Sequence, residues 1–186
     1  MEFTVLKTRV KISPLFFAVL TTFLLADRGG IAAAVISFSL LHELCHFAVL
    51  GALKKAPREV NISAAGISMR LCGMCTAERV LVFAAGAAGN FAAAVLCFAA
   101  DRELFCGVNL AIGIFTMLPL CSTDGGSIFA ALAEKFFPER AKQLCKAVFT
   151  ACGAITAAAL FAAAAVYENP YLLIGAFYAV ICLIKY

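Results

Sequence analysis

Residues 31–53 read Ile31-Ala-Ala-Ala-Val-Ile-Ser-Phe-Ser-Leu-Leu-His42-Glu43-Leu44-Cys45-His46-Phe-Ala-Val-Leu-Gly-Ala-Leu53. Glu43 is the only charged side chain in this run, and His42 and His46 are the only histidines of the chain. A spacing of four sets both imidazoles on one face of a helix, a turn apart. That is how two ligands of one tetrahedral zinc are carried on a single helix. Glu43 beside them is suited to act as general base on a water at the metal. A charge at the bilayer centre costs at least about 2.5–3.5 kcal/mol on insertion scales, so such a residue needs a compensating interaction. Metal coordination supplies one for the histidines, and water near the site supplies one for Glu43. The bland alternative is a pair of core histidines with a stray glutamate.

Outward from this run the composition is that of a membrane protein. Of 186 residues, 64% are hydrophobic and 14% charged, with a mean hydropathy of +0.99. A soluble domain is about half apolar and about a quarter charged. The balance excludes a soluble globular domain and a disordered chain. A net charge of +4 is too weak for a nucleic-acid footprint. Uncharged stretches run over residues 12–26, 80–100, 104–123, 147–167 and 169–184, with 29–53 interrupted only by Glu43. A helical span takes about 20 apolar residues. The sequence therefore predicts an all-α polytopic membrane protein of about six transmembrane helices, the first and last short. With the N-terminus inside, only Arg28 and Arg102 of the 15 basic residues fall outside. This bias sets both termini on the cytoplasmic side. The first span lacks a convincing cleavage site before Asp27, so it is read as a span and not as a signal peptide.

Two histidines leave a catalytic zinc one protein ligand short. Glu59, Glu78 and Asp124 are the candidate carboxylates, with Cys121 as a thiol alternative. Glu59 and Glu78 stand beside Arg58 and Arg79 and read as solvated loop charge. Asp124 follows an uncharged span in Leu118-Pro119-Leu120-Cys121-Ser122-Thr123-Asp124-Gly125-Gly126. Pro119 breaks a helix, and an acid on a broken helix at membrane depth belongs to a buried or watery site. The competing reading makes Asp124 the N-cap of a helix over Gly125–Lys135.

Residues 59–72 alternate at Val60, Ile62 and Ala64 and again at Ile67, Met69 and Leu71, with Ala65-Gly66 as a turn. This pattern predicts a small β-hairpin near the cytoplasmic face. Its edge, Gly66 included, could pair with an extended substrate. Nine cysteines occur, mostly in apolar stretches. Buried free thiols there behave as small hydrophobes. Cys72-Gly-Met-Cys75 has metal or redox spacing, but without a second such pair a structural zinc is not expected.

Taken in order, these motifs resemble the site-2 proteases, a family of intramembrane zinc metalloproteases. His42-Glu43-x-x-His46 lies in an apolar helix, and the segment after it resembles the family's short β-structure. Gly86-Ala87-Ala88-Gly89-Asn90 resembles Gly-Pro-x-x-Asn, and Thr116-Met117-Leu118-Pro119 with Asp124-Gly125-Gly126 resembles Asn-x-x-Pro followed by Leu-Asp-Gly-Gly. The resemblance covers about residues 31–137, flanked by spans 12–26 and 147–186, within a single domain over 1–186. Ala87 stands for a proline, Thr116 for an asparagine, and Ser122 and Thr123 for a proline and a leucine. Small size and span number are most similar to the branch of stage IV sporulation protein FB. That branch often carries a CBS domain, which is not expected here.

The resemblance implies one catalytic Zn2+ held by His42, His46 and Asp124, with Glu43 activating water. It implies a substrate-binding or site-holding role for Asn90. It further implies a membrane-tethered protein substrate, such as a transcription-factor precursor, membrane-protein regulators, and residence in a bacterial cytoplasmic membrane. A catalytically inactive scaffold of the same fold and a metal or solute transporter are the competing classes. The intact Glu43 opposes the scaffold, and the absence of repeated halves opposes the transporter.

Overall fold

The computed structural model describes residues 2–5, 8–27, 29–63, 66–168 and 171–184. Lys7, Arg28 and Lys185, three of the basic residues counted above for orientation, Ala64 of the expected strand and Ala65 of the expected turn lie outside them. The chain divides into two compact units, Met1–Phe115 and Thr116–Tyr186.

The first unit opens with two strands, β1 (Glu2–Val5) and β2 (Thr8–Ile12). Two helices follow, α1 (Pro14–Ala26) and α2 (Ile31–Ala52). Strands β3 (Glu59–Ser63) and β4 (Gly66–Arg70) come next, then helices α3 (Thr76–Ala99) and α4 (Glu103–Met117). The expected hairpin is present as β3 and β4, and it is half of a four-stranded sheet ordered β1-β2-β3-β4. The β1–β2 and β3–β4 pairs are antiparallel, and β2 runs parallel to β3 with Val10 opposite Val60. Period-2 alternation divides the sheet cleanly. Phe3, Val10, Val60 and Met69 share one face, and Glu2, Lys11, Glu59 and Arg70 share the other. The second set is a ladder of alternating sign across all four strands. Lys11 lies 3.7 Å from Glu2 and 3.1 Å from Glu59, and Arg70 lies 3.9 Å from Glu59. Glu59 is thus a strand residue between two cations and not a solvated loop charge.

Local chemistry sets the helix ends. Pro14 opens α1, where its missing N–H costs nothing. The Asp27 carboxylate accepts from the N–H groups of Gly29 and Ala32 at 3.0 and 2.9 Å, tying down the start of α2. Helix α2 ends on Lys54 in the left-handed region, with Lys55 N–H donating back to Leu50 O at 2.9 Å. Glu78 closes the start of α3 by accepting from Cys75 N–H at 2.8 Å and from Lys55 Nζ at 2.6 Å.

The second unit holds α5 (Asp124–Phe136), α6 (Ala141–Val166) and α7 (Tyr171–Ile184). Ala133, Ala141, Cys145 and Phe149 form its core, with Phe129 set edge-on to Phe149 at 6.0 Å. Ala157 and Ala164 of α6 and Ala176 and Ala179 of α7 are buried. Small residues at such positions let helices approach closely.

The span count requires correction. Three helices among the described residues are long and apolar enough to cross a membrane: α2 with 22 residues, α3 with 24 and α6 with 26. The expected spans at 12–26, 104–123 and 169–184 fold as helices of 13, 15 and 14 residues. At 1.5 Å per residue the longest of these reaches about 22 Å, short of a hydrocarbon core of about 30 Å. Two of the runs are cut by identifiable residues. Ile12 belongs to β2, and the helix after it waits for Pro14. The run to Thr123 stops at Met117, two residues before Pro119.

Candidate metal centre

Helical spacing delivers what the sequence predicts for the histidines. The His42 and His46 rings stand 4.7 Å apart between centroids and nearly perpendicular, at 84°. They are 5% and 1% exposed. Neutral imidazole needs one nitrogen protonated and offers the other as a lone pair. Here the Nδ1 atoms of both rings meet oxygens. His46 Nδ1 lies 2.7 Å from the Val82 carbonyl, which can only accept, so Nδ1–H donates and Nε2 carries the lone pair. His42 Nδ1 lies 2.7 Å from Asn90 Oδ1. Asn90 is wholly buried, and its Nδ2 donates to Phe38 O at 3.2 Å and to Asn109 Oδ1 at 3.0 Å. Turning that amide over would set oxygen against oxygen. An unmade buried hydrogen bond costs about 1–3 kcal/mol, so the orientation is fixed.

Helix α3 makes room for the rings through its glycines. A Cβ at Gly86 would stand 2.5 Å from both the His42 and the His46 Nε2 atoms. The two donor atoms therefore converge on the hollow that this missing side chain leaves. At Gly89 a Cβ would collide with Cys45 Sγ. The Gly86-Ala87-Ala88-Gly89-Asn90 segment thus has three separate tasks: space for the imidazoles, space for Cys45 and an anchor for His42. Metal-bound histidines almost always give their second ring nitrogen to an oxygen acceptor in this manner. Converging Nε2 lone pairs, oriented Nδ1 donors and the unfilled Gly86 position fit a divalent metal ion.

Glu43 is half-buried on α2, between the two histidines in sequence. Of the competing carboxylates, Glu78 is engaged in the α3 cap with Lys55, and Glu59 in the sheet ladder. The hydrogen bond from Lys11 holds the Glu59 carboxyl below the usual carboxylate range. Partial burial opposes that shift, and the charges of Lys11, Arg70 and Arg9 add to it.

Asp124 belongs to the second unit, half-buried in the first turn of α5. It is not the cap of that helix. Thr123 is, with its hydroxyl accepting from Gly126 N–H at 3.3 Å and donating to the Leu118 carbonyl at 2.5 Å. Cβ atoms at Gly125 and Gly126 would run into the carbonyls of Met117 and Leu120. The Leu118–Ser122 turn therefore folds directly over the two glycines and aims the start of α5. Cys121 is half-buried in that turn. Gly66 opens β4, and β4 pairs only with β3 among the described residues.

Two supports of the histidines escaped the sequence. The Val82 carbonyl is backbone and leaves no side-chain signal. Asn109 did leave one, an amide inside an apolar stretch.

Among solved structures, the chain is similar to the site-2 protease from Methanocaldococcus jannaschii, with a TM-score of 0.70 and 14% sequence identity. The superposition covers 100% of this chain and 94% of that one. No protein-family model and no curated protein matches the sequence. The chain has the fold of that archaeal protease, and within its first unit α2 carries a buried pair of histidines braced by α3.

Proposed function

We propose that this chain is an intramembrane zinc endopeptidase of the site-2 protease type. Its substrate would be a membrane-tethered protein, cut in or near the transmembrane segment. The observation that carries the reading is the convergence of the His42 and His46 Nε2 atoms over Gly86, each ring oriented through Nδ1. Asp124, in the Asp124-Gly125-Gly126 motif, is proposed as the third ligand beside His42 and His46, giving two imidazoles and one carboxylate. That donor set suits zinc and leaves a coordination position open. Zinc, when bound, supplies a Lewis acid that polarises the scissile carbonyl and makes water a competent nucleophile at neutral pH.

Glu43 then does the proton work. Its carboxylate takes a proton from the attacking water as the C–O bond forms at the carbonyl carbon. It returns that proton to the amide nitrogen as the C–N bond breaks, leaving a new carboxyl terminus and a new amine. A helical substrate must unwind before its peptide bond can be reached. Since β2 occupies the outer edge of β3, the hairpin offers the β4 edge, beginning at Gly66, for an unwound segment to pair with. Asn90 serves by holding His42. Release of a transcription-factor precursor, control by other membrane proteins, and a bacterial cytoplasmic membrane with both termini inside complete the reading.

Metal content and cleavage of a membrane-tethered reporter, measured together in detergent-purified protein, test it. Wild type should hold about one zinc per chain and cut the reporter. Asp124→Ala should lose the metal. Glu43→Gln should keep the metal and lose about 10²–10⁴ in rate. Full zinc retention in Asp124→Ala would move the third ligand to Cys121. Cleavage indifferent to Glu43→Gln, or no zinc in folded wild type, would sink the protease and favour the inactive scaffold.

A further inference from the structure

A wholly buried amide in α4 reaches the centre without touching either histidine. Asn109 is 0% exposed. Its Nδ2 donates to Phe105 O one turn back on α4, at 2.9 Å. Its Oδ1 accepts from Asn90 Nδ2 at 3.0 Å. Every direction in the chain follows from the carbonyl at its far end. Phe105 O can only accept, so the Asn109 nitrogen faces it and the Asn109 oxygen faces Asn90. That oxygen demands a donor, so Asn90 turns its nitrogen toward α4 and its oxygen toward His42. The Asn90 oxygen in turn demands Nδ1–H from His42, which leaves the lone pair on Nε2, the atom over Gly86.

We propose that Asn109 is a positioning residue for the metal centre, setting the tautomer of His42 through Asn90. His46 is set independently by the Val82 carbonyl. The two histidines of the site are thus oriented by different devices, one a backbone carbonyl of α3 and the other a relay of two amides anchored on α4. Phe38 O also accepts from Asn90 Nδ2, at the longer distance of 3.2 Å, so the relay from α4 is the shorter of the two constraints. The proposal rests on the metal-binding reading for its purpose, and on hydrogen-bond direction alone for its content.

Because the chain has two histidines, ¹⁵N-histidine labelling resolves the question ring by ring. The probe is metal-stripped protein in detergent, above the histidine titration range, followed by zinc titration against a competing chelator. In wild type both rings should show a protonated Nδ1 and an unprotonated Nε2. Asn109→Leu should convert His42 to a tautomer mixture, leave His46 unchanged, and weaken zinc binding about 10-fold, as loss of an outer-shell partner does. Asn109→Asp, whose neutral acid donates its hydroxyl to Phe105 O and keeps an oxygen where Asn90 needs one, should restore the wild-type His42 signal. A wild-type His42 protonated at Nε2 would overturn the proposal even if Asn109→Leu fails to fold. So would a folded Asn109→Leu with His42 signals and zinc affinity unchanged. If the His42 signals respond as stated in a protein that binds no zinc, the protease reading fails and the tautomer relay stands.

Discussion

Gly86 faces His46 so closely that a Cβ on the glycine would stand 2.5 Å from the imidazole Nε2, and the same 2.5 Å from that of His42. The position is therefore closed to every other amino acid while both rings keep their places. Gly86→Ala should weaken zinc binding by about 100-fold or more, at the upper end of what loss of a supporting group does. Gly51→Ala, where a Cβ meets nothing within 4 Å, should leave it unchanged. Chelator competition on the two variants side by side makes the comparison.

Cys45 and Gly89 form the next contact along the same helix pair, with Sγ occupying the space of the missing Cβ. Gly89→Ala should destabilise by about 1–3 kcal/mol through overpacking. Adding Cys45→Ala should recover most of that loss, giving the coupling expected of residues in contact. Thermal unfolding of wild type, the two single variants and the double variant measures it. Strict additivity would mean that α2 and α3 do not interlock here.

Thr123 should prove structural where its neighbour Asp124 does not. Thr123→Val removes the oxygen that accepts from Gly126 N–H and should cost about 1 kcal/mol. A loss of that size lowers Tm by about 2–4 °C in a chain of this length. Thr123→Ser should restore it. Asp124→Ala leaves that cap in place, so Thr123→Val should lose the cap energy and Asp124→Ala should not. The reverse pattern in a thermal scan would return the capping role to Asp124.

The sheet ladder carries a pH signature. Lys11 holds the Glu59 carboxyl below its ordinary range. A lowered folded-state pKa contributes stability that is present above the unfolded value, about 4.3 for glutamate. The contribution is lost as pH falls through the folded value. Hydrogen-exchange protection of β3 should therefore fall off below the usual carboxylate range. In Lys11→Met the loss should be smaller, because the pKa difference that produces it shrinks when its largest cause is removed. Coincident profiles for the two proteins would remove Lys11 as the cause.

The histidine face was legible because spacing alone determines it, and α2 and α3 because long uncharged runs have no alternative but a helix. The N-terminal strands were not legible. The partner that makes Thr8–Ile12 a strand lies about fifty residues away in β3. The span count failed for a related reason. Absence of charge marks apolar sequence and carries no account of where the helix stops, and Pro14 and Pro119 shortened two runs. The roles of Glu59 and Glu78 depended on Lys11 and Lys55, neither of them a sequence neighbour. Asp124 is the better capping residue on paper, yet the Thr123 hydroxyl took the position, also reaching back to the Leu118 carbonyl.

The parallel pairing of β2 with β3 has a consequence of parity. Strands that share hydrogen bonds lie on the same side of a bilayer. The chain between Ile12 and Glu59 must then cross it an even number of times. Helix α2, with 22 residues, can cross alone. If it does, α1 makes the other passage with 13 residues, about 20 Å of helix. The bilayer around α1 is then thinned to match. A topology tag ahead of β1 and one within residues 59–70 will report the same compartment, whichever compartment that is.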